Sequence, residues 1–155
     1  MLAAMALMGQ FSFDIQDSKG LFDKLTRDYQ SFLADNTSSD NAINFSITAY
    51  HLYEWTDSEL NEDEKEKLKE KRKEIQEDFQ IIRDITNGSK HKDIKNYVPK
   101  LKTAKKHNGG FSSAFSRGFD TTVLLIELES GKEMYFEDVA ERVYAFWDKF
   151  FKADK

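Results

Sequence analysis

The helical and the strand-forming parts of this chain meet in the stretch Ile75-Gln-Glu-Asp-Phe-Gln-Ile-Ile-Arg-Asp-Ile-Thr-Asn-Gly-Ser-Lys-His91. Four of its apolar residues recur at the three- and four-residue spacing of one helix face: Ile75, Phe79, Ile82 and Ile85. Glycine is the usual residue just past a helix C-terminus, so Gly88 is predicted to end the helix near Asn87. A different structure is expected beyond it.

Three helices are predicted up to this point. The first is predicted to be capped by Ser18, and its apolar face comprises Leu21, Phe22, Leu25, Tyr29, Phe32 and Leu33. The second is predicted from about Asp40 to Trp55, with apolar residues around a wide arc. The third is predicted to run unbroken from Ser58 to about Asn87, with an acidic first turn that suits the helix dipole.

Strand patterns follow. Lysines alternate with Leu101 and Thr103, which predicts an exposed edge strand. A loop rich in glycine and serine is expected at 108–118, and a hairpin at 121–136 turns at Ser130-Gly131. A last helix with an aromatic face is predicted from about Glu137 to Lys152. The predicted fold class is mainly α (α+β): a four-helix bundle-like core with a small antiparallel hairpin or sheet inserted before the C-terminal helix.

The length of 155 residues predicts one domain covering 1–155, with 1–12 flexible and 89–118 as a basic strand and loop insert. A hydrophobic content of 39% with 13 Phe excludes a disordered chain. Cysteine is absent, which excludes disulfides, thiolate metal ligands and a cysteine nucleophile, and favours a cytoplasmic setting. The apolar opening 1–8 lacks a basic flank and is shorter than the roughly 20 residues of a membrane span, so no membrane partner is expected.

Charge is unevenly distributed along a chain of net charge -5. Six acidic residues lie between Glu54 and Glu64. Seven lysines with a single opposing residue, Asp93, follow the stretch that ends the third helix: Lys90, Lys92, Lys95, Lys100, Lys102, Lys105 and Lys106. Such a strip attracts polyanions locally despite the negative total, because salt screens charges more than roughly 8 Å away. The alternative interpretation is an edge strand or loop that lysines protect against sheet-to-sheet pairing.

The same region carries the residue types of phosphate chemistry. If the helix continued through Gly88, Arg83, Asn87, Lys90 and His91 would share one face. In metal-independent RNA cleavage His91 would be the general acid or base, Asn87 the orienting donor, and Arg83 or Lys90 the phosphate stabiliser. The alternative is purely structural: a helix C-cap at Asn87 and a solvated cationic end at Lys90 and His91.

Asn87-Gly-Ser-Lys-His91 resembles the Asn-x-x-x-His core of the Arg-Asn-x-x-x-His motif of the HEPN superfamily. Those helical-bundle domains are often dimeric ribonucleases of toxin, phage-defence and RNA-processing systems. The resemblance implies RNA as a ligand, a homodimer and an antitoxin-type protein partner. Thr86 stands where that motif has arginine. The combination of 49–55 with 83–91 is also similar to a group of bacterial proteins with related helices, which implies no activity.

Two residues upstream complete the set of candidate site residues. His51 and Glu54 lie one helical turn apart, and we expect a buried His51 that Glu54 orients, as a second shell. A metal site that combined them with Asp84 and His91 is the weaker hypothesis, because no second His and Glu pair occurs on another helix, so no metal and no cofactor is predicted. No Gly-x-Ser-x-Gly elbow and no phosphate-binding glycine loop is present.

Two non-enzymatic functions remain open. The first is a module that binds nucleic acid or protein through the lysine strip and Arg117, with Tyr97, Phe111 and Phe115 for stacking. The second is a structural homodimer formed through the aromatic last helix or an open sheet edge.

Overall fold

The computed structural model describes residues 11–107 and 121–153. Its elements are α1 (Ser18–Ala34), α2 (Ser39–Glu59), α3 (Glu62–Arg72), a 3-10 turn (Lys73–Ile75), α4 (Gln76–Lys90), β1 (Leu101–His107), β2 (Val123–Leu128), β3 (Glu133–Tyr135) and α5 (Phe136–Lys152). The predicted fold class is confirmed: the chain is mainly helical, with a small antiparallel sheet before the last helix. The apolar opening 1–8 and the loop predicted at 108–118, with Phe111, Phe115 and Arg117, lie outside the described residues.

The first two helices begin at side-chain caps. Asp17, not Ser18, caps α1, because its carboxylate accepts the N–H of Gly20 at 2.7 Å. Ser18 is the first helical residue, and its N–H donates to the Glu59 carboxylate at 2.9 and 3.2 Å. The end of α2 thereby satisfies a donor at the start of α1. The helix α2 runs four residues past the predicted end at Trp55, to Glu59.

The prediction of one unbroken third helix from Ser58 to Asn87 is wrong. Leu60 is extended, and Asn61 starts α3 by accepting the N–H of Glu64 at 2.9 Å. A 3-10 turn then separates α3 from α4. Leu68 is the only buried residue of α3, so few tertiary contacts oppose these local breaks.

The prediction that Gly88 ends the helix is also wrong, since α4 continues to Lys90. Glycine permits a helix end but does not enforce one. The last turn is held by hydrogen bonds from the Ser89 hydroxyl to the Thr86 carbonyl (2.7 Å) and from the His91 N–H to the Asn87 carbonyl (2.8 Å). The helix ends where His91 adopts an extended backbone, with φ -126 and ψ 126.

The sheet has the order β1-β2-β3, with both pairs antiparallel. Within the described residues β1 therefore occupies an edge, as predicted. The predicted hairpin is confirmed, and Gly131 in its turn has φ +89, which favours glycine. Ile126, Leu128 and Met134 are buried residues of the sheet that belong to the hydrophobic core.

The last helix closes that core, as its aromatic face predicted. Trp147 is 1% exposed, and the Phe136 ring packs edge-on against Phe32 at 5.3 Å. Leu33, predicted on the buried face of α1, is instead 50% exposed, because it lies at the edge of that face. Among the described residues, every helix is too short or too polar to cross a membrane.

Candidate functional site

The carboxylate of Asp84 is the most highly bonded side chain near the predicted site. It is 1% exposed and accepts five hydrogen bonds. Its Oδ1 accepts Nε and Nη2 of Arg83 (both 3.1 Å) and the Tyr97 hydroxyl (3.0 Å). Its Oδ2 accepts the backbone N–H groups of Lys100 (2.8 Å) and Leu101 (3.0 Å). A buried carboxylate needs hydrogen-bond partners of this kind to offset its lost hydration.

Tyr97 completes this arrangement. The Arg83 guanidinium lies 4.2 Å from the centre of the Tyr97 ring, and the amide of Asn87 donates to the Tyr97 hydroxyl at 2.8 Å. Burial raises the pKa of Tyr97, the bond from Asn87 lowers it, and the bond to Asp84 raises it. Arg83, Asp84, Asn87 and Tyr97 form what we name the anchor cluster.

The anchor cluster fastens the chain that follows α4 back onto that helix. Tyr97, Lys100 just before β1 and Leu101 at its start all bond to the side chain of Asp84, nearly two turns before the helix end. Two residues predicted as catalytic, Arg83 and Asn87, are therefore engaged in holding this connection. This role of Asp84 was not predicted, although a charged residue among the buried isoleucines of α4 indicates that it needs hydrogen-bonding partners.

Asp84 is also excluded as a metal ligand by these bonds, because both of its oxygens are occupied. No cluster of three or more His, Asp or Glu side chains in the described ranges has the geometry of a metal site.

His91 and Lys90, by contrast, lie exposed at the end of α4. The backbone leaves the helix at His91, so the predicted common face holds for Arg83, Asn87 and Lys90 but does not extend to His91. Among the described residues, no hydrogen bond joins the His91 imidazole to Arg83 or Asn87. The structure thus separates the predicted general acid or base from the predicted orienting donor.

The lysine strip, which we name the basic segment (90–106), is exposed at every lysine: Lys90, Lys92, Lys95, Lys100, Lys102, Lys105 and Lys106. Lys102 pairs with Glu127 at 3.1 Å. The other six make no ion pair with any residue in the described part of the chain. Their positive charge is therefore left uncompensated there.

His51, predicted with Glu54 as a second-shell pair on α2, is more exposed than expected. The side chain of His51 is 46% exposed, so the expected core histidine is wrong, because its position on α2 faces solvent. The expected orientation by Glu54 is present: Nδ1 of His51 lies 3.1 Å from the Glu54 carboxylate. Burial raises the pKa of the neighbouring Tyr50, Glu54 raises it further, and Arg83 lowers it. Glu54 and Arg83 thus have opposite effects on the pKa of the Tyr50 hydroxyl.

No protein-family model, no curated protein and no solved structure matches this chain.

Proposed function

We propose that this chain is a HEPN-like domain that engages single-stranded RNA through the basic segment, as a cytoplasmic homodimer. One observation carries the proposal: seven exposed lysines with a single aspartate among them lie in a segment that the anchor cluster holds against α4. The helical arrangement, with α4 intact through Gly88, supports the resemblance to HEPN domains.

The binding would be mainly electrostatic. Lysine ammonium groups neutralise phosphates and release the counterions that surround them, which makes affinity depend on salt. The anchor cluster lowers the entropy lost on binding, because Tyr97 and the N–H groups of Lys100 and Leu101 already hold the segment. Tyr97 contributes here as an anchor and not as a stacking platform, since the Arg83 guanidinium lies over its ring.

The test compares two triple variants of equal charge. Lys92→Gln/Lys95→Gln/Lys100→Gln changes the basic segment, and Lys67→Gln/Lys69→Gln/Lys71→Gln changes exposed lysines of α3. Binding of a fluorescent 20-nucleotide oligo(U) RNA is measured by anisotropy between 50 and 200 mM salt. The slope of log K against log salt should fall by about 0.7 for each lysine lost from the segment. Equal effects of the two variants would show that only net charge matters and would refute a defined binding segment.

A second candidate function, metal-independent RNA cleavage of a toxin or phage-defence type, is favoured by the position of His91. Its imidazole is exposed between Lys90 and Lys92, within the proposed path of the RNA. His91 would take the proton of the 2'-hydroxyl as that oxygen attacks the adjacent phosphate, and the lysines would stabilise the added charge. A second copy in a homodimer would bring a second imidazole to protonate the leaving 5'-oxygen. An antitoxin-type protein is the partner that such an activity implies.

Cleavage is tested with chelator present on single-stranded and transfer RNAs, comparing the wild type with His91→Ala and Asn87→Ala. His91→Ala should abolish cleavage with an unchanged melting temperature, because His91 is exposed. Asn87→Ala should lower stability, because it removes the bond to Tyr97. Binding without cleavage would leave the non-enzymatic RNA module. If the protein shows neither binding nor cleavage, a protein-binding module or a structural homodimer remains.

A further inference from the structure

An open cavity of about 340 Å³ lies between the helices and the sheet. It is bounded by the start of α2, the last two turns of α4, and the strands β1 and β2. Its apolar lining is mainly aliphatic and includes Ala42, Ile43, Ile85, Leu101, Leu124 and Ile126. The volume is near the lower end of the range for small-molecule sites, which suits a small apolar group.

Two polar groups of the cavity, on Asp84 and Ser89, are already engaged. Asp84 reaches it, but both of its oxygens accept hydrogen bonds from the protein. The Ser89 hydroxyl donates to the Thr86 carbonyl. The one aromatic lining residue, Phe136, is 1% exposed and packs against other rings, so it offers no face for stacking. A nucleobase would find few partners for its hydrogen-bonding edges here, namely Ser39, Lys105 and Lys106, whereas an alkyl chain needs none.

Two lysines give this cavity a positive side. Across the sheet, Lys106 is paired with Leu124 and Ala104 with Ile126, and residues directly opposite each other project from the same face. Both partners line the cavity, so Lys106 and Ala104 stand on that face. Lys105 lines the cavity as well. Lys105 and Lys106 are exposed and make no ion pair within 11–107 and 121–153.

We propose that the cavity binds a medium-chain aliphatic carboxylate, with the chain against the aliphatic lining and the carboxylate at Lys106. The volume equals roughly eleven times the 30 Å³ share of a liquid water, which accommodates about eight to ten carbon atoms. Charge complementarity selects an anion, and the aliphatic lining selects an unbranched apolar tail. Lys105 and Lys106 belong both to this site and to the basic segment, whereas the lining from α2, α4 and β2 has no part in the proposed RNA binding.

The chain-length test uses the full-length protein and hexanoate, octanoate and decanoate, with binding followed by titration calorimetry. Each added methylene should lower Kd about fourfold until the cavity is filled. Neutral 1-octanol should bind more weakly than octanoate, because it lacks the charge that Lys106 pairs with. Absence of binding, a Kd independent of chain length, or equal binding of the alcohol would overturn the proposal.

Two variants with matched controls locate the site. Ala104→Leu should fill the cavity and weaken octanoate at least tenfold, while Ala145→Leu, at an exposed position of α5, should not. Lys106→Gln should weaken octanoate but not 1-octanol, and Lys102→Gln, on the same strand, should change neither. Circular-dichroism melting checks that Ala104→Leu remains folded. Wild-type octanoate binding by Ala104→Leu or Lys106→Gln would overturn the assignment.

Discussion

The hydroxyl of Tyr97 donates to Oδ1 of Asp84 at 3.0 Å, which joins the segment after α4 to the helix that precedes it. The same Asp84 side chain accepts the N–H groups of Lys100 and Leu101. One carboxylate therefore fixes the path of the basic segment and the start of the edge strand. Loss of these bonds should affect both stability and the proposed RNA binding.

Asp84→Asn is expected to lower the free energy of unfolding by about 3 kcal/mol. Asparagine keeps one acceptor oxygen, so its NH2 group would point donors either at the N–H groups of Lys100 and Leu101 or at the Arg83 guanidinium, and those donors would lose their acceptor. Urea denaturation measures the loss. Asp93→Asn, an exposed site in the same basic segment, is the control and should change stability by less than about 0.5 kcal/mol.

Tyr97→Phe should cost about 1–2 kcal/mol at pH 7, because it removes the hydroxyl that bonds Asp84 and Asn87. Burial raises the pKa of Tyr97 in the folded chain, so the folded state favours the neutral phenol. Its contribution is complete below the unfolded pKa of about 10 and is lost as pH rises through the folded pKa.

The difference in unfolding free energy between the wild type and Tyr97→Phe should therefore narrow above about pH 10. Urea unfolding at pH 7, 9 and 10.5 measures it. Tyr53→Phe is the control, since the Tyr53 ring contacts Arg72 and Phe79 but its hydroxyl makes no hydrogen bond in the described part of the chain. If the difference in unfolding free energy between the wild type and Tyr97→Phe stays constant with pH, the role given to the Tyr97 hydroxyl is contradicted.

Gly88→Ala should stabilise the protein by about 0.5–1 kcal/mol, because Gly88 lies within α4 and a Cβ there meets no atom within 4 Å. Gly131→Ala should instead destabilise it by about 1–2 kcal/mol, because Gly131 has φ +89. Thermal melting distinguishes the two. A destabilising Gly88→Ala would mean that α4 ends earlier than Lys90.

Arg142→Ala should cost about 2 kcal/mol, because Nε and Nη2 of Arg142 bond both oxygens of Asp78 at 2.9 and 2.8 Å and join α5 to α4. The Asp78 side chain is 9% exposed and would be left without its cation. The control is Lys152→Ala, whose pair with Asp148 is exposed, so its loss should change stability far less. Equal losses of unfolding free energy in the two variants, measured by chemical denaturation, would refute the importance of burial for the pair of Arg142 with Asp78.

Local patterns predicted the elements well and their ends less well. The last helix and the hairpin turn were predicted nearly to the residue, because apolar spacing and the Ser130-Gly131 turn act within a few residues. The prediction of the third helix was wrong at Asn61, where a side-chain cap starts a new helix in place of one continuous charged helix. Such competition depends on packing that periodicity does not contain.

The sequence alone determined the fold class, the presence of an edge strand rich in lysine, and the exposure of the basic segment, because composition and periodicity act locally. Tertiary structure alone decided how the motif residues are used. Asp84 and Tyr97 are 13 residues apart, and their hydrogen bond exists only because the chain folds back on α4. That return engages Arg83 and Asn87 in the anchor cluster and leaves His91 exposed. Contacts between distant residues depend on the packed arrangement of the whole core, which no short motif specifies.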